Sequence, residues 1–341
     1  MVLRSNQEKL QPAWRALAGE EPSIEGWRTI PIEIGTTGRL MAGRHFPGNT
    51  EALLVGFSST HGVKSFSFPQ GRGFKVEEVI HRVPGKYDVW ISLSRQAVGS
   101  IEMFTRMAED IINLLQNHRQ ANDAVLLKLF LGRVKAWQDF MEQGRSEILS
   151  PEKEVGLFGE LSFLREILHV KVSETIALDA WRGPLDGLQD FFFVPGAVEV
   201  KSTIAEKGFI AKVGSLEQLD DSLVNPLFLV GIKLSLDKTG QTLPELIDEL
   251  HRHFINDQIV LGKYENLLLQ AGFISSCAAS YERRFLKCKT SVWKVDGSFP
   301  KLTRGNTIIE IRKVRYEIDL DIIECDDFGL GNALREMGVF F

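Results

Sequence analysis

The chain has 341 residues, 44% of them hydrophobic, which is enough to bury the cores of two or three domains. Its formal net charge of −5 excludes a uniformly basic coat but not a local cationic patch. Cys277, Cys288 and Cys325 are an odd set without C-x-x-C spacing, so neither a disulfide framework nor a zinc site is expected. No apolar run reaches the ~20 residues of a membrane span, and MVLRSNQEKLQPAW does not read as a signal peptide. A cytoplasmic location is expected.

Residues 1–98 open with a short polar helix. The strand-like runs TIPIEIG, ALLVGFS and YDVWISLS follow, punctuated by Gly and Pro, and predict a β-rich N-terminal domain. Over 99–150, Phe104, Met107, Ile111, Leu115 and then Leu126, Leu129, Phe130, Val134 recur at helical spacing and predict two bridging helices. Residues 151–169, PEKEVGLFGELSFLREILH, predict a helix with Pro at its start and acids in its first turn. Leu157, Leu161, Leu164 and Leu168 form its apolar stripe, and Glu160 lies on or beside it. A carboxylate there either reaches water at the boundary or is paired, hydrogen-bonded or metal-linked.

A strand near Thr175–Trp181, a hairpin, a strand at Phe209–Val213, an SLEQL helix and the strand LFLVGIKLS complete a core over 151–240. Within 241–341, PELIDELHRHF and KYENLLLQAG read as helices, the second closed by Gly272. Ile274–Cys325 reads as strand-rich. Between Ser280 and Tyr316 lie Arg283, Arg284, Lys287, Lys289, Lys294, Lys301, Arg304, Arg312, Lys313 and Arg315, opposed only by Glu282, Asp296 and Glu310. Tyr281, Phe285 and Trp293 are interleaved, as on a phosphate-backbone contact surface, although a linear cluster of solvated strand faces would read alike.

The hairpin is QDFFFVPGAVEVKST, residues 189–203. With Pro195-Gly196 as a two-residue turn, Val194 pairs with Ala197, Asp190 stands opposite Lys201, and Glu199 stands opposite Phe192. Alternation then projects Asp190, Glu199 and Lys201 from one face and Phe191, Phe193, Val198 and Val200 from the other. Two carboxylates supply the oxygen ligands that Mg²⁺ prefers. Such a metal lowers the pKa of a bound water and neutralises charge developing on phosphorus, and a neighbouring lysine adds electrostatic stabilisation. An exposed salt-bridged hairpin is the bland alternative.

Asp190…Glu199-Val200-Lys201 on paired strands resembles the D…(D/E)-x-K signature of the PD-(D/E)XK superfamily. The GLFGELSFL helix, the WRGPLDGLQDF approach, VGSLEQL, SVWKVDGSFPKLT and VRYEIDL extend the likeness to the PD-(D/E)XK proteins found among bacterial restriction and phage-defence genes. The resemblance runs from about residue 100 onward and more loosely before that. It implies an α/β (α+β) fold with a restriction-endonuclease-like core, a mixed central sheet flanked by helices. It also implies DNA cleavage dependent on Mg²⁺, with Mn²⁺ as a substitute. Glu160, Asp190, Glu199 and Lys201 become catalytic residues. Glu160, Asp190, Glu199 and the Val200 carbonyl become metal ligands, and Arg283, Arg284, Lys287 and Arg315 become candidate DNA contacts. The nearest proline to the first acid is Pro184, which makes Asp186 a rival to Asp190. Asp190 is preferred because Asp186 falls in a Gly-rich loop outside the hairpin. Gln218 is a further candidate near the site. The sequence has no G-x-S-x-G elbow and no G-x-x-x-x-G-K-[ST] phosphate loop. Translocation or target recognition is therefore expected from partner proteins, and double-strand cutting either from a homodimer or from two visits by one active site. The alternative is a catalytically silent DNA-binding or scaffold subunit.

Overall fold

The computed structural model describes residues 7–19, 25–32, 38–58, 68–79, 83, 86–142 and 148–339. The chain divides into two compact units, Met1–Arg145 and Ser146–Phe341.

The first unit is built on a five-stranded antiparallel sheet. Its strands are β1 (Gly26–Pro31), β2 (Leu40–Phe46), β3 (Thr50–Phe57), β4 (Phe74–Glu78) and β5 (Val89–Arg95), in the order β1-β2-β3-β5-β4. The predicted TIPIEIG strand ends at Pro31, and residues 33–35 lie outside the described residues. Helix α1 (Gln7–Leu17) buries Trp14, whose indole N–H donates to the Ala52 carbonyl at 2.9 Å. Helices α2 (Ile101–Asn117) and α3 (Asp123–Glu142) bury the two predicted stripes and pack on each other within this unit.

The second unit is centred on a mixed sheet. Strands β6 (Phe191–Phe192), β7 (Ala197–Thr203), β9 (Leu227–Gln241) and β10 (Phe285–Lys294) lie in the order β10-β9-β7-β6. The β7–β9 pair is parallel and the others are antiparallel. One face packs on α4 (Pro151–His169), which starts where the Ser150 hydroxyl accepts from Lys153 N–H. Phe163 meets Phe191 edge-on at 4.8 Å, and a Cβ added at Gly159 would come within 2.6 Å of Ser202 Oγ. Glycine is therefore what lets this helix approach the sheet. Helix α6 (Leu243–Phe254) packs on α4, and α7 (Gln258–Gln270) on α6. Gly272, at φ +101°, ends α7 as its sequence predicts. The other sheet face carries β8 (Ile210–Val213) paired antiparallel with β11 (Tyr316–Asp319). Ala197, Leu227, Leu229 and Trp293 share a core there with Phe209, Ala211, Leu219 and Ile318.

Three expectations are corrected. Residues near Thr175–Trp181 form helix α5 (Glu174–Ala180), because Ser173 caps it by accepting from Ile176 N–H while Ala177, Leu178 and Ala180 are buried. The SLEQL stretch forms turns, since Leu216 and Leu219 are both buried and Gln218 uses its side-chain oxygen on Gly214 N–H. From Ile274 to Cys325 only β10 and β11 are strands, and most of the stretch between them is turn and loop.

Candidate active site

The hairpin forms, with its turn moved by one residue. Phe193 N–H donates to Gly196 O at 2.7 Å, while Phe191 pairs with Val198 and Phe192 with Ala197. The two turn residues are thus Val194 and Pro195. Moving such a turn by one residue slips the pairing by two, so partners change while faces are kept. Continued, this register sets Asp190 across from Glu199 and not from Lys201. Gly196 leaves the turn because it is needed for close packing: a Cβ there would lie 2.5 Å from Met337 Cγ and 2.8 Å from Pro226 O.

The N–H groups of Arg182 and Gly183 donate to Asp190 O at 2.7 and 2.9 Å, folding the WRGPLDG loop back onto the first acid. Beyond Phe191, β6 stops, and β7 loses its partner on that edge. Asp190 Oδ2 fills the gap by accepting from Val200 N–H at 2.8 Å. Glu160 arrives from α4, its Oε2 accepting from Trp181 Nε1 at 2.7 Å. A Cβ added at Gly183 would lie 2.5 Å from Glu160 Oε2 and 3.0 Å from Asp190 Oδ1, so both acids reach one small space. Glu199 is 2% exposed. Its Oε1 accepts from Lys201 Nζ at 2.7 Å and Gln218 Nε2 at 2.6 Å, while its buried Oε2 has no hydrogen-bond partner. The four predicted residues, with Val200, Ser202, Lys212, Gln218 and Arg283, line one cleft of ≈ 590 Å³.

Three carboxylates against one ammonium strain the electrostatics. Burial, reinforced by Asp190, pushes Glu199 up to about 8 despite Lys201. Burial and then Asp190 hold Glu160 well above the usual carboxylate range, against the Trp181 hydrogen bond. Burial also raises Asp190, opposed by Val200 N–H and Lys201. Burial alone would depress Lys201, but Glu199, Asp190 and Glu160 together raise it. A hard divalent cation fits this donor set, because ionising three crowded acids beside a single ammonium calls for added positive charge and one buried carboxylate oxygen is orphaned. No group of three or more His, Cys, Asp or Glu among the described residues forms a ready metal cage, and Glu199 Oε1 is already held by Lys201 and Gln218.

The other candidates sit as follows. Arg283 pairs with Glu154 at 2.6 Å, Arg284 with Glu245 at 2.7 Å, and Lys287 with Glu166. Arg315 is exposed and has no ion pair among the described residues. Asp186, at φ +54°, is exposed in the loop and is not among the residues lining the cleft. Trp181 and Gly183 were not identified from the sequence. Their nearest signal was the compact W-R-G-P-L-D-G string, which reads as a loop without revealing what the indole holds.

A mixed sheet edged by a loop acid, an E-x-K strand and a helix acid defines a PD-(D/E)XK type of protein. Residues 10–321 match the family described as "Putative PD-(D/E)XK family member, (DUF4420)". The chain belongs to that family. No curated protein and no solved structure matches it. Membership points to a nuclease-type enzyme, a class that generally uses divalent metals.

Proposed function

We propose that this chain is a Mg²⁺-dependent DNA endonuclease of a bacterial restriction or phage-defence system. The observation that carries the reading is the convergence of Glu160, Asp190, Glu199 and Lys201 on one cleft from a helix, a loop and a strand. Asp190, Glu199, Glu160 and the Val200 carbonyl would hold the cation, Mg²⁺ or Mn²⁺ in its place. When bound, that ion supplies a water of lowered pKa and neutralises charge at phosphorus. Lys201, tied to Glu199 and 17% exposed, keeps its charge aimed into the cleft, where it stabilises phosphate oxygens and orients the attacking water. Gln218 bridges Glu199 to Gly214 N–H and so fixes the carboxylate's orientation. Lys212, exposed in the same cleft, offers a phosphate contact. Translocation or target recognition falls to partner proteins, and cutting both strands to a homodimer.

The test is cleavage of modified and unmodified plasmid by the full chain, with partners supplied. Mg²⁺ should support cutting and EDTA should abolish it. Lys201→Ala should cut about 100-fold more slowly or worse, as loss of a positioned electrostatic donor does. Its DNA affinity should barely change, since one cation among many contributes little to a salt-dependent total. Equal cutting by wild type and Lys201→Ala would remove Lys201 from the chemistry. Binding without cutting by either would favour the silent DNA-binding or scaffold subunit, which the prior engagement of Glu199 Oε1 also fits.

A further inference from the structure

We infer that loop 307–315 engages the nucleic acid directly, with its cations on phosphates and Ile308 and Ile309 against the bases. The inference rests on the nuclease reading and adds a contact surface to it. Most cations of the basic stretch are already matched: Arg283 by Glu154, Lys294 by Glu336, Lys301 by Asp221 and Arg304 by Glu217, besides Arg284 and Lys287. A cation held by an internal carboxylate adds little net field at a phosphate. Arg312, Lys313 and Arg315 are exposed and have no ion pair among the described residues.

The same loop presents Ile308 and Ile309, 67% and 84% exposed. It is braced. Arg304 donates to Ile311 O at 3.1 Å and Arg312 O at 2.8 Å, and Ile311 N–H donates to Ile308 O at 3.0 Å. Two adjacent bare isoleucines on a braced loop offer apolar surface that a partner could bury. Its location is informative too. The loop runs into β11, which pairs with β8, and Ile210, Ala211 and Lys212 of β8 line the carboxylate cleft. Arg304 grips Glu217, the neighbour of Gln218, which in turn holds Glu199. An apolar protein patch would cover the isoleucines but leave three cations unmatched, with only Glu310 to oppose them. A polyanion with apolar base faces meets both needs, and apolar side chains wedged between base steps are a known means of holding bent duplex.

The experiment uses the full chain and duplex oligonucleotides containing 2-aminopurine, without divalent cation so that nothing is cut. Wild type should bind and raise the fluorescence as bases unstack. An Ile308→Ser/Ile309→Ser variant, with melting temperature unchanged because both sites are exposed, should bind about 10-fold more weakly and give no rise, a loss in the range expected when apolar side chains are no longer buried against bases. Arg312→Ala/Lys313→Ala/Arg315→Ala should bind more weakly, its salt slope reduced by about 1 for each phosphate no longer engaged. Arg284→Ala should leave that slope unchanged. Wild-type binding with flat fluorescence, or equal binding by the isoleucine variant, overturns the inference and leaves the nuclease reading standing. Loss of a partner protein with DNA binding intact would make the loop a protein surface, which also overturns it. A wild type that neither binds nor cuts DNA removes both.

Discussion

Trp181 shows how one donor can set a carboxylate. Its N–H is the hydrogen bond that opposes the burial of Glu160, and its ring lies stacked beside Phe191. Trp181→Phe keeps an aromatic ring and removes the donor. Groups that orient ligands from behind typically contribute 10–100-fold to metal affinity or activity, so cleavage should fall by about that factor. The half-saturating Mg²⁺ concentration should rise with it, which a purely structural role for the ring would not produce. Gly183→Ala should be harsher, because the new Cβ enters the space between Glu160 and Asp190. Asp190→Ala removes a proposed metal ligand and also strips Val200 N–H of its acceptor, so lost activity could reflect lost structure. Asp190→Asn retains an acceptor for that N–H. It should melt close to wild type and still fail to cut, and a large drop in melting temperature would instead make Asp190 mainly a structural residue.

Secondary elements were legible where their signals were local. Helix α4 starts at Ser150-Pro151 and α6 at Thr242-Leu243-Pro244 with Glu245 closing a capping box, and both carry apolar stripes. Strand β2 carries no clear pattern because Arg44 and His45 interrupt its apolar run, whereas the short β4 does alternate, Phe74 and Val76 inward and Lys75 outward, a signal left unread in the sequence. The hairpin was legible as a unit, but its register was not, because the requirement at Gly196 comes from Met337 at the far end of the chain. The carboxylates were nameable from the motif, whereas the matching of Arg283, Arg284 and Lys287 with acids depended on distant α4 and α6. Gly196→Ala should therefore destabilise the second unit by about 1–3 kcal/mol, the usual result of overpacking. Gly156, also in α4, has open space at its Cβ position, so Gly156→Ala should stabilise by up to about 1 kcal/mol through helix propensity. Urea midpoints at constant m-value give both signs. A neutral Gly196→Ala would mean that Met337 and Pro226 do not pack as described.

For the whole molecule, pH acts through carboxylates that folding drives away from water. Glu109 in α2, remote in sequence from the cleft acids, is 4% exposed, and its Oε1 has no hydrogen-bond partner. Burial raises it from 4.5 to about 7, with Arg106 opposing. Between those values the folded chain holds a proton that the unfolded chain has released. Stability contributed by this group is thus full below pH 4.5, declines as pH rises through 7, and stays low above that. Glu109→Gln removes the ionisation while nearly keeping the shape. The variant should melt above wild type at pH 8, with the difference shrinking steadily toward pH 5. Glu160 and Glu199 are raised for the same reason, so the decline in the variant should flatten without vanishing. Melting followed by circular dichroism across that pH range reads the difference directly. A gap between variant and wild type that is the same at pH 5 and pH 8 would show that Glu109 is not titrating in the fold, and that its contribution is one of packing alone.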